Sequence, residues 1–282
     1  MHICLVMDNP ETPQHPVIAV VLQQLCTRHT VRLLDVNALS GAEVIACEKE
    51  HRSADLYLLK SHSSQALDLA QYLEQDGRQV VNSWSSSLAC QDRLRTTELM
   101  RAVNLPWPPT WHFFTLTEAL KASSMLCILP WPLIIKSRYN YRGDLVVRID
   151  CISQLQALAV NWSQEPVVFQ ECIANNGWDI KLWVIDEQIF AAYRRTPLEA
   201  NACRQDFPVV ADELPLEWKH LALAVGRAFK MSLYGVDLII TQRRPVIVDV
   251  NAFPGFRGAP GAGKALINLV ERLLPTFDQR DT

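Results

Sequence analysis

The stretch "PVIVDVNAFPGFRGAPGAGKA", residues 245–265, carries two signals that compete for one role. Its second half fits a phosphate-loop pattern, Gly258-x-x-x-x-Gly263-Lys264. Its first half sets Asp249 and Asn251 two residues apart in an apolar, strand-like run. A phosphate loop needs a strand leading into the glycines, a helix starting at the lysine, and a following Ser or Thr to hold magnesium. Here Ala265 follows the lysine, and Asn251-Ala-Phe-Pro-Gly-Phe256 separates the strand from the glycines. The glycines therefore read as a loop that starts the last helix, with Lys264 solvated.

The first half has better geometry. Residues 234–240 and 246–251 are both apolar, and Thr241-Gln-Arg-Arg244 between them suits a short hairpin loop. A hairpin symmetric about Arg243 sets Asp237 opposite Asp249, and Asn251, two residues on, shares the face. Facing carboxylates repel unless a cation or proton intervenes, and hard oxygen donors suit Mg²⁺ held together with substrate phosphates. Taken alone, the three residues equally fit solvated hairpin ends capped by Arg243 and Arg244.

The chain has 282 residues, 49% of them apolar, enough for two or three packed lobes. A formal charge of −3 gives no field that would gather nucleic acid or an anionic membrane. No apolar run approaches the roughly 20 residues that span a bilayer, and the start, MHICLVMDNPETP, lacks signal-peptide features, so a cytoplasmic protein is expected. Eight cysteines, Cys4, Cys26, Cys47, Cys90, Cys127, Cys151, Cys172 and Cys203, stand singly without metal-binding spacing and read as buried small hydrophobes.

Strands at 2–7, 30–35, 55–60 and 79–82 alternate with helices at 17–28 and 64–75, the pattern of a small open parallel α/β sheet. A single helix is expected over 85–103, and Leu105-Pro-Trp-Pro-Pro-Thr110 then forbids regular structure. Beyond it, strand pairs at 133–136 and 145–149, 179–185 and 188–194, and 234–240 and 246–250 read as hairpins. With a strand at 167–173 and helices at 151–160, 216–231 and 265–274, this part is α+β. The expected domains are 1–84, a helix and linker at 85–110, a central lobe at 111–173 and a C-terminal lobe at 174–282.

Gly235-Val-Asp237-Leu-Ile followed by Val248-Asp249-Val-Asn251-Ala-Phe-Pro-Gly-Phe resembles the metal-binding hairpin of the ATP-grasp superfamily. Other segments follow in the superfamily's order over nearly the whole chain. Val81-Asn-Ser83 with Gln91-Asp-Arg-Leu-Arg95 is similar to its "VNS…DK" stretch. Ile135-Lys136, Gly143 and residues 146–148 are similar to its phosphate-grasping hairpin, Phe169-Gln-Glu-Cys-Ile173 to its adenine hinge, and Asp179-Ile-Lys-Leu-Trp-Val184 with Arg194-Arg195 to its "DIR…RR" hairpin.

The resemblance implies an ATP-grasp fold and ATP as cofactor. Nucleotide contacts fall on Arg93, Lys136, Gly143, Gln170, Glu171, Cys172, Ile173 and Asp179. The metal ligands are Asp237, Asp249 and Asn251, holding Mg²⁺ with Mn²⁺ as the alternative. Lys181, Arg194, Arg195 and Arg257 bear on the transferred phosphoryl group, and Lys60, His62 and Gly255 on the acceptor. Departures are Arg93 for the usual lysine, one glycine in the tip "SRYNYRGD", where Arg138 and Arg142 are expected to contact phosphate, and Asp249 for the usual Glu. The implied activity is a carboxylate–amine ligase acting through an acyl phosphate on small-molecule or peptide substrates, with a homodimer expected. Lys60, Arg93, Asp249 and Phe253-Pro-Gly-Phe256 keep open an inositol-phosphate kinase that phosphorylates a hydroxyl.

Overall fold

The structure, a computed structural model, describes residues 1–38, 43, 45–46, 54–196, 206–242 and 244–275. Cys47, Cys203 and Arg243 lie outside the described residues. The first sheet contains β1 (His2–Met7), β2 (Thr30–Asp35), β3 (Leu56–Lys60) and β4 (Val80–Val81), all parallel, in the order β2-β1-β3-β4. Its connections include α1 (Pro16–Leu25) and α2 (Ser64–Gln75). β1 is sealed on both faces, which is why Ile3 to Val6 is apolar without alternation. α2 has the bounds the sequence suggests: Ser63 Oγ accepts from the Ala66 amide at 3.2 Å, and Ala66, Leu69, Ala70 and Leu73 are buried. The chain leaves β1 toward β2 on one side and returns as β3 on the other. The carboxyl ends of β1 and β3 therefore bound a crevice at the point where the strand order reverses, a preferred ligand position in open sheets.

The single helix expected over 85–103 is two helices, α3 (Trp84–Gln91) and α4 (Arg93–Ala102). Asp92 breaks them apart: its backbone is extended (φ −99°, ψ 102°), and its carboxylate caps α4 by accepting from the Leu94 amide at 3.0 Å. The central sheet is antiparallel, built from β5 (Thr110–Phe113), β6 (Leu133–Ser137), β7 (Val146–Ile149) and β8 (Val167–Glu171) in the order β5-β8-β6-β7. It carries α5 (Leu116–Lys121), α6 (Ser123–Leu126) and α7 (Ile152–Trp162). The third sheet has β9 (Trp178–Ile185), β10 (Gln188–Arg195), β11 (Asp206–Val209), β12 (Leu233–Ile240) and β13 (Pro245–Asn251) in the order β11-β10-β9-β12-β13. It is antiparallel and is covered by α8 (Leu216–Phe229) and α9 (Ala262–Leu273).

This mixed α/β and α+β arrangement is the one the sequence implies, with two strands added. β5 follows the proline run, and β11 is an edge strand that tolerates Pro208, so neither shows a clear alternation in the sequence. The first and third sheets share one core, in which Ile18, Val21 and Leu25 of α1 meet Leu266, Leu269 and Val270 of α9. The central sheet has a separate core around Leu116, Leu133, Ile135, Leu155 and Phe169. Burial of every cysteine does not hold: the six described thiols are all free, and Cys26, Cys127 and Cys151 are exposed. No helix among the described residues is long and apolar enough to cross a membrane.

Inside α8, Gly226 faces the phenol of Tyr234, whose hydroxyl donates to the Ala222 carbonyl at 2.9 Å. A Cβ at Gly226 would come within 2.2 Å of that oxygen. Gly226→Ala is expected to destabilise the fold by about 1–3 kcal/mol, read as a lower urea midpoint at constant m-value; an unchanged midpoint would contradict this packing.

Candidate functional site

The β12–β13 hairpin sets the site's geometry. Ile240 pairs with Pro245 and Leu238 with Ile247, but Asp237 pairs with Asp249, so Val248 is an extra residue on β13. This bulge, absent from the symmetric hairpin expected above, brings the two carboxylates face to face. It also places the Val248 carbonyl where Lys136 Nζ, arriving from the central sheet, donates to it at 3.0 Å. Asn251 Nδ2 donates to Asp249 Oδ2 at 2.9 Å, so the three oxygen-bearing side chains converge.

Asp237 is buried and already neutralised in part. Lys181 Nζ, directly across on β9, lies 2.5 Å from Oδ1, and Arg194 Nη2 lies 3.0 Å from Oδ2. Burial pushes the Asp237 carboxyl up, and those two cations more than offset it, leaving it below the usual carboxylate range. The same charge raises the Arg194 guanidinium. Lys181 reaches Asp237 by lying against Gly235, where a Cβ would be 3.2 Å from Lys181 Cε and Nζ.

Between the central and third sheets opens a cavity of about 360 Å³, within the usual range for small-molecule sites. One wall is the end of β8 and the chain after it, Gln170, Glu171, Cys172 and Ile173; the opposite wall is Asp237, Asp249 and Ile239, with Arg93 and Lys136 beside them. Desolvation brings the Lys136 ammonium down to about 8. Asp179 lines the cavity and accepts from Thr196 Oγ1 and Asn175 Nδ2, each at 2.8 Å, while burial pushes its carboxyl up.

A second cavity lies over the crevice at the ends of β1 and β3. It gathers Asp8, Glu11, Lys60, His62, Arg142 and Arg257, with Gly255 at its wall. Lys60 Nζ donates to the carbonyls of Phe253 (3.0 Å) and Pro254 (3.4 Å), and burial lowers it to about 8. The His62 amide donates to Asp8 Oδ2 at 2.6 Å; burial lowers the imidazole and Lys60 adds to the shift. Asn140 belongs to this cavity and donates to Asn251 Oδ1 at 3.5 Å, linking it to the carboxylate hairpin.

The structure thus gathers Arg93, Lys136, Gln170, Glu171, Cys172, Ile173, Asp179, Arg194, Asp237 and Asp249 around one cavity, with Lys181 and Asn251 bonded to its carboxylates. Lys60, His62, Gly255 and Arg257 lie around the other. Arg195 does not join them. Adjacent strand residues point to opposite faces, and its guanidinium stacks 4.2 Å from the centroid of the Trp178 ring. Gly143 lines neither cavity; its φ of +85° turns the loop between β6 and β7. Arg138, expected at phosphate, instead makes a two-point pair with Asp92 at 2.9 and 2.8 Å, and Arg142 faces the second cavity. Lys264 is exposed on the first turn of α9, as the rejection of the phosphate loop requires. Sequence reasoning missed Asn140, Asp144, Asn175, Thr196 and Asp8; only Asp8, next to the apolar run of β1, carried a signal, as a strand-end carboxylate in an open sheet.

A model of the RimK-like ATP-grasp domain matches residues 90–274. The chain belongs to the RimK-like ATP-grasp family. It is 29% identical over 196 residues to a probable alpha-L-glutamate ligase of Xanthomonas oryzae pv. oryzae, covering 67% of this chain and 65% of that one, so it spans just under two-thirds of that relative. It is 27% identical over 220 residues to the alpha-aminoadipate–LysW ligase LysX of Saccharolobus solfataricus, covering 72% of this chain and 76% of that one. A RimK domain ATP-grasp protein from Sphaerobacter thermophilus shares the fold, with a TM-score of 0.74 at 19% identity over 98% of this chain and 100% of that one.

Lys60 gives a pH signature. Its folded value of about 8 lies below the 10.5 of an unperturbed lysine, so between the two the unfolded chain binds more protons and stability rises with pH. The stability of the wild type relative to Lys60→Met is therefore expected to be lowest below about pH 8 and to climb toward about pH 10. Urea midpoints of the two proteins across that range check it, and a flat difference would refute the buried-lysine assignment.

Proposed function

We propose that the chain is an ATP- and Mg²⁺-dependent ligase that joins a carboxylate to an amine through an acyl phosphate, releasing ADP and phosphate. One observation carries the reading: Asp237 and Asp249 line a cavity that also holds Arg93, Lys136 and Arg194 opposite the Gln170–Ile173 wall, and Asn251 of the same hairpin is bonded to Asn140 of a second charged cavity. Phosphoryl transfer between two bound substrates requires that order of parts.

In this reading adenine lies along Gln170 to Ile173, where the chain turns out of β8, and Asp179 reaches the ribose. Lys136 leaves the Val248 carbonyl for phosphate oxygens, and Arg93 adds a second cation. Arg194 and Lys181 stand beside Asp237, where they offset charge as the γ-phosphoryl group moves. Two carboxylates and an amide fit a hard cation that takes its remaining oxygens from phosphate and water. Among the described residues no group of three or more His, Cys, Asp or Glu side chains is arranged to hold a metal, so the fit is to shared coordination and not to an all-protein cage. Such an ion would neutralise the developing phosphate charge.

The second cavity then holds the acceptors. Lys60, Arg142 and Arg257 suit carboxylates, and Asp8 and Glu11 suit an ammonium group. Both relatives above are named for dicarboxylic amino acids, which supports an acidic amino acid as one substrate. The kinase reading is weaker: a polyphosphorylated acceptor wants cations without interposed carboxylates, and none of the proteins named above is a kinase.

Asp249→Ala is expected to lower ADP formation by about a hundredfold or more with the thermal midpoint unmoved. The assay supplies ATP, Mg²⁺, an acidic amino acid and peptide or small carboxylates. Wild-type turnover unchanged by the substitution, or AMP as the nucleotide product, would overturn the proposal.

A further inference from the structure

The break at Asp92 sets two consecutive, oppositely charged residues against the two ends of the loop between β6 and β7. Asp92 holds Arg138 at the loop's start, and Arg93 holds Asp144 at its end, with Nη1 2.6 Å from Asp144 Oδ2. The same Nη1 donates to the Ser137 carbonyl at 2.7 Å. The Asn140 amide between them donates to the Gln91 carbonyl at 2.8 Å.

Arg93 is only 8% exposed, yet part of it is idle. Its Nε is fully buried without a hydrogen-bond partner, the Asp144 Oδ2 contact with Nη1 is an ion pair without hydrogen-bond alignment, and no described residue bonds Nη2. Buried donors are nearly always satisfied, so an orphaned one lining a cavity beside Lys136 points to an acceptor that arrives with a ligand. A guanidinium can serve two partners at once because its donors lie on separate edges of a rigid plane. A lysine ammonium is a point charge and has no second edge.

We propose that Asp144 is a positioning residue for nucleotide binding: it fixes Arg93 through Nη1 so that the Nε–Nη2 edge is presented as a fork to the triphosphate. Resting on the reading of this cavity as the ATP site, the inference adds that the loop between β6 and β7 and the phosphate are gripped by one side chain. Arginine in place of the superfamily's usual lysine and a carboxylate at 144 are then two halves of one device.

The test is calorimetric binding of a non-hydrolysable ATP analogue with Mg²⁺, and of adenosine, to the full chain. Asp144→Ala is expected to weaken the analogue about tenfold while leaving adenosine, which has no phosphate, unmoved. Asp144→Glu restores most of the affinity. In an Arg93→Lys background, Asp144→Ala adds little, because a lysine has no second edge to orient. If the wild type binds both ligands and Asp144→Ala leaves the analogue unchanged, tightens it, weakens adenosine equally, or multiplies with Arg93→Lys, this inference falls and the site reading stands. If the wild type binds neither, the site reading falls and takes the inference with it.

Discussion

Two carboxylates facing each other across one pair of strands are the constraint on which the rest of the site depends. Without the extra residue at Val248, the turn at 241–244 would set Asp237 against Val248 and send Asp249 to the other side of the sheet. The bulge reverses that outcome and leaves a repulsion to be managed. Lys181 and Arg194 manage it from the neighbouring strands, and Gly235 leaves the space that Lys181 needs. The bulged carbonyl also gives Lys136 a partner on the far side of the cleft. One inserted residue thus aligns the acidic pair and ties the central sheet to the third.

The cations of the cleft are arranged to be exchangeable. Lys136 is held by a neutral carbonyl, a weaker partner than a phosphate, and its lowered affinity for a proton reflects a charge that burial has left uncompensated. Arg93 has one edge in use and one idle. In the proposed reading a triphosphate would take the place of the Val248 carbonyl at Lys136 and meet the idle edge of Arg93.

Much of this was legible in the sequence, and the failures share a cause. The period of α2, the parallel strands and the three hairpins follow from local pattern, and the pairing of Asp237 with Asp249 was obtained from a hairpin centred half a residue too late, an error the bulge cancels. The apolar period could not show that Asp92 would leave the helix, because its partner Arg138 is set by the tertiary fold; its cap on the Leu94 amide is local, and an aspartate in mid-helix was the signal for it. Arg195 is a different case: strand alternation alone forbids it from sharing a face with Arg194, and the paired-arginine motif obscured that simpler rule. Asp144 carries no local signal, since its meaning depends on a guanidinium about fifty residues earlier in the chain.

The packing of α9 upon α1 has a bearing on biogenesis. The opening strands emerge from the ribosome far ahead of the amphipathic segment that must cover them, and Leu266, Leu269 and Val270 are made long after β1. Until they arrive, one side of the nascent sheet stays greasy and open to capture, at synthesis speeds of about 5–20 residues per second. The central unit, whose core is its own, can mature in the meantime. The middle of this chain is thus able to settle before its beginning.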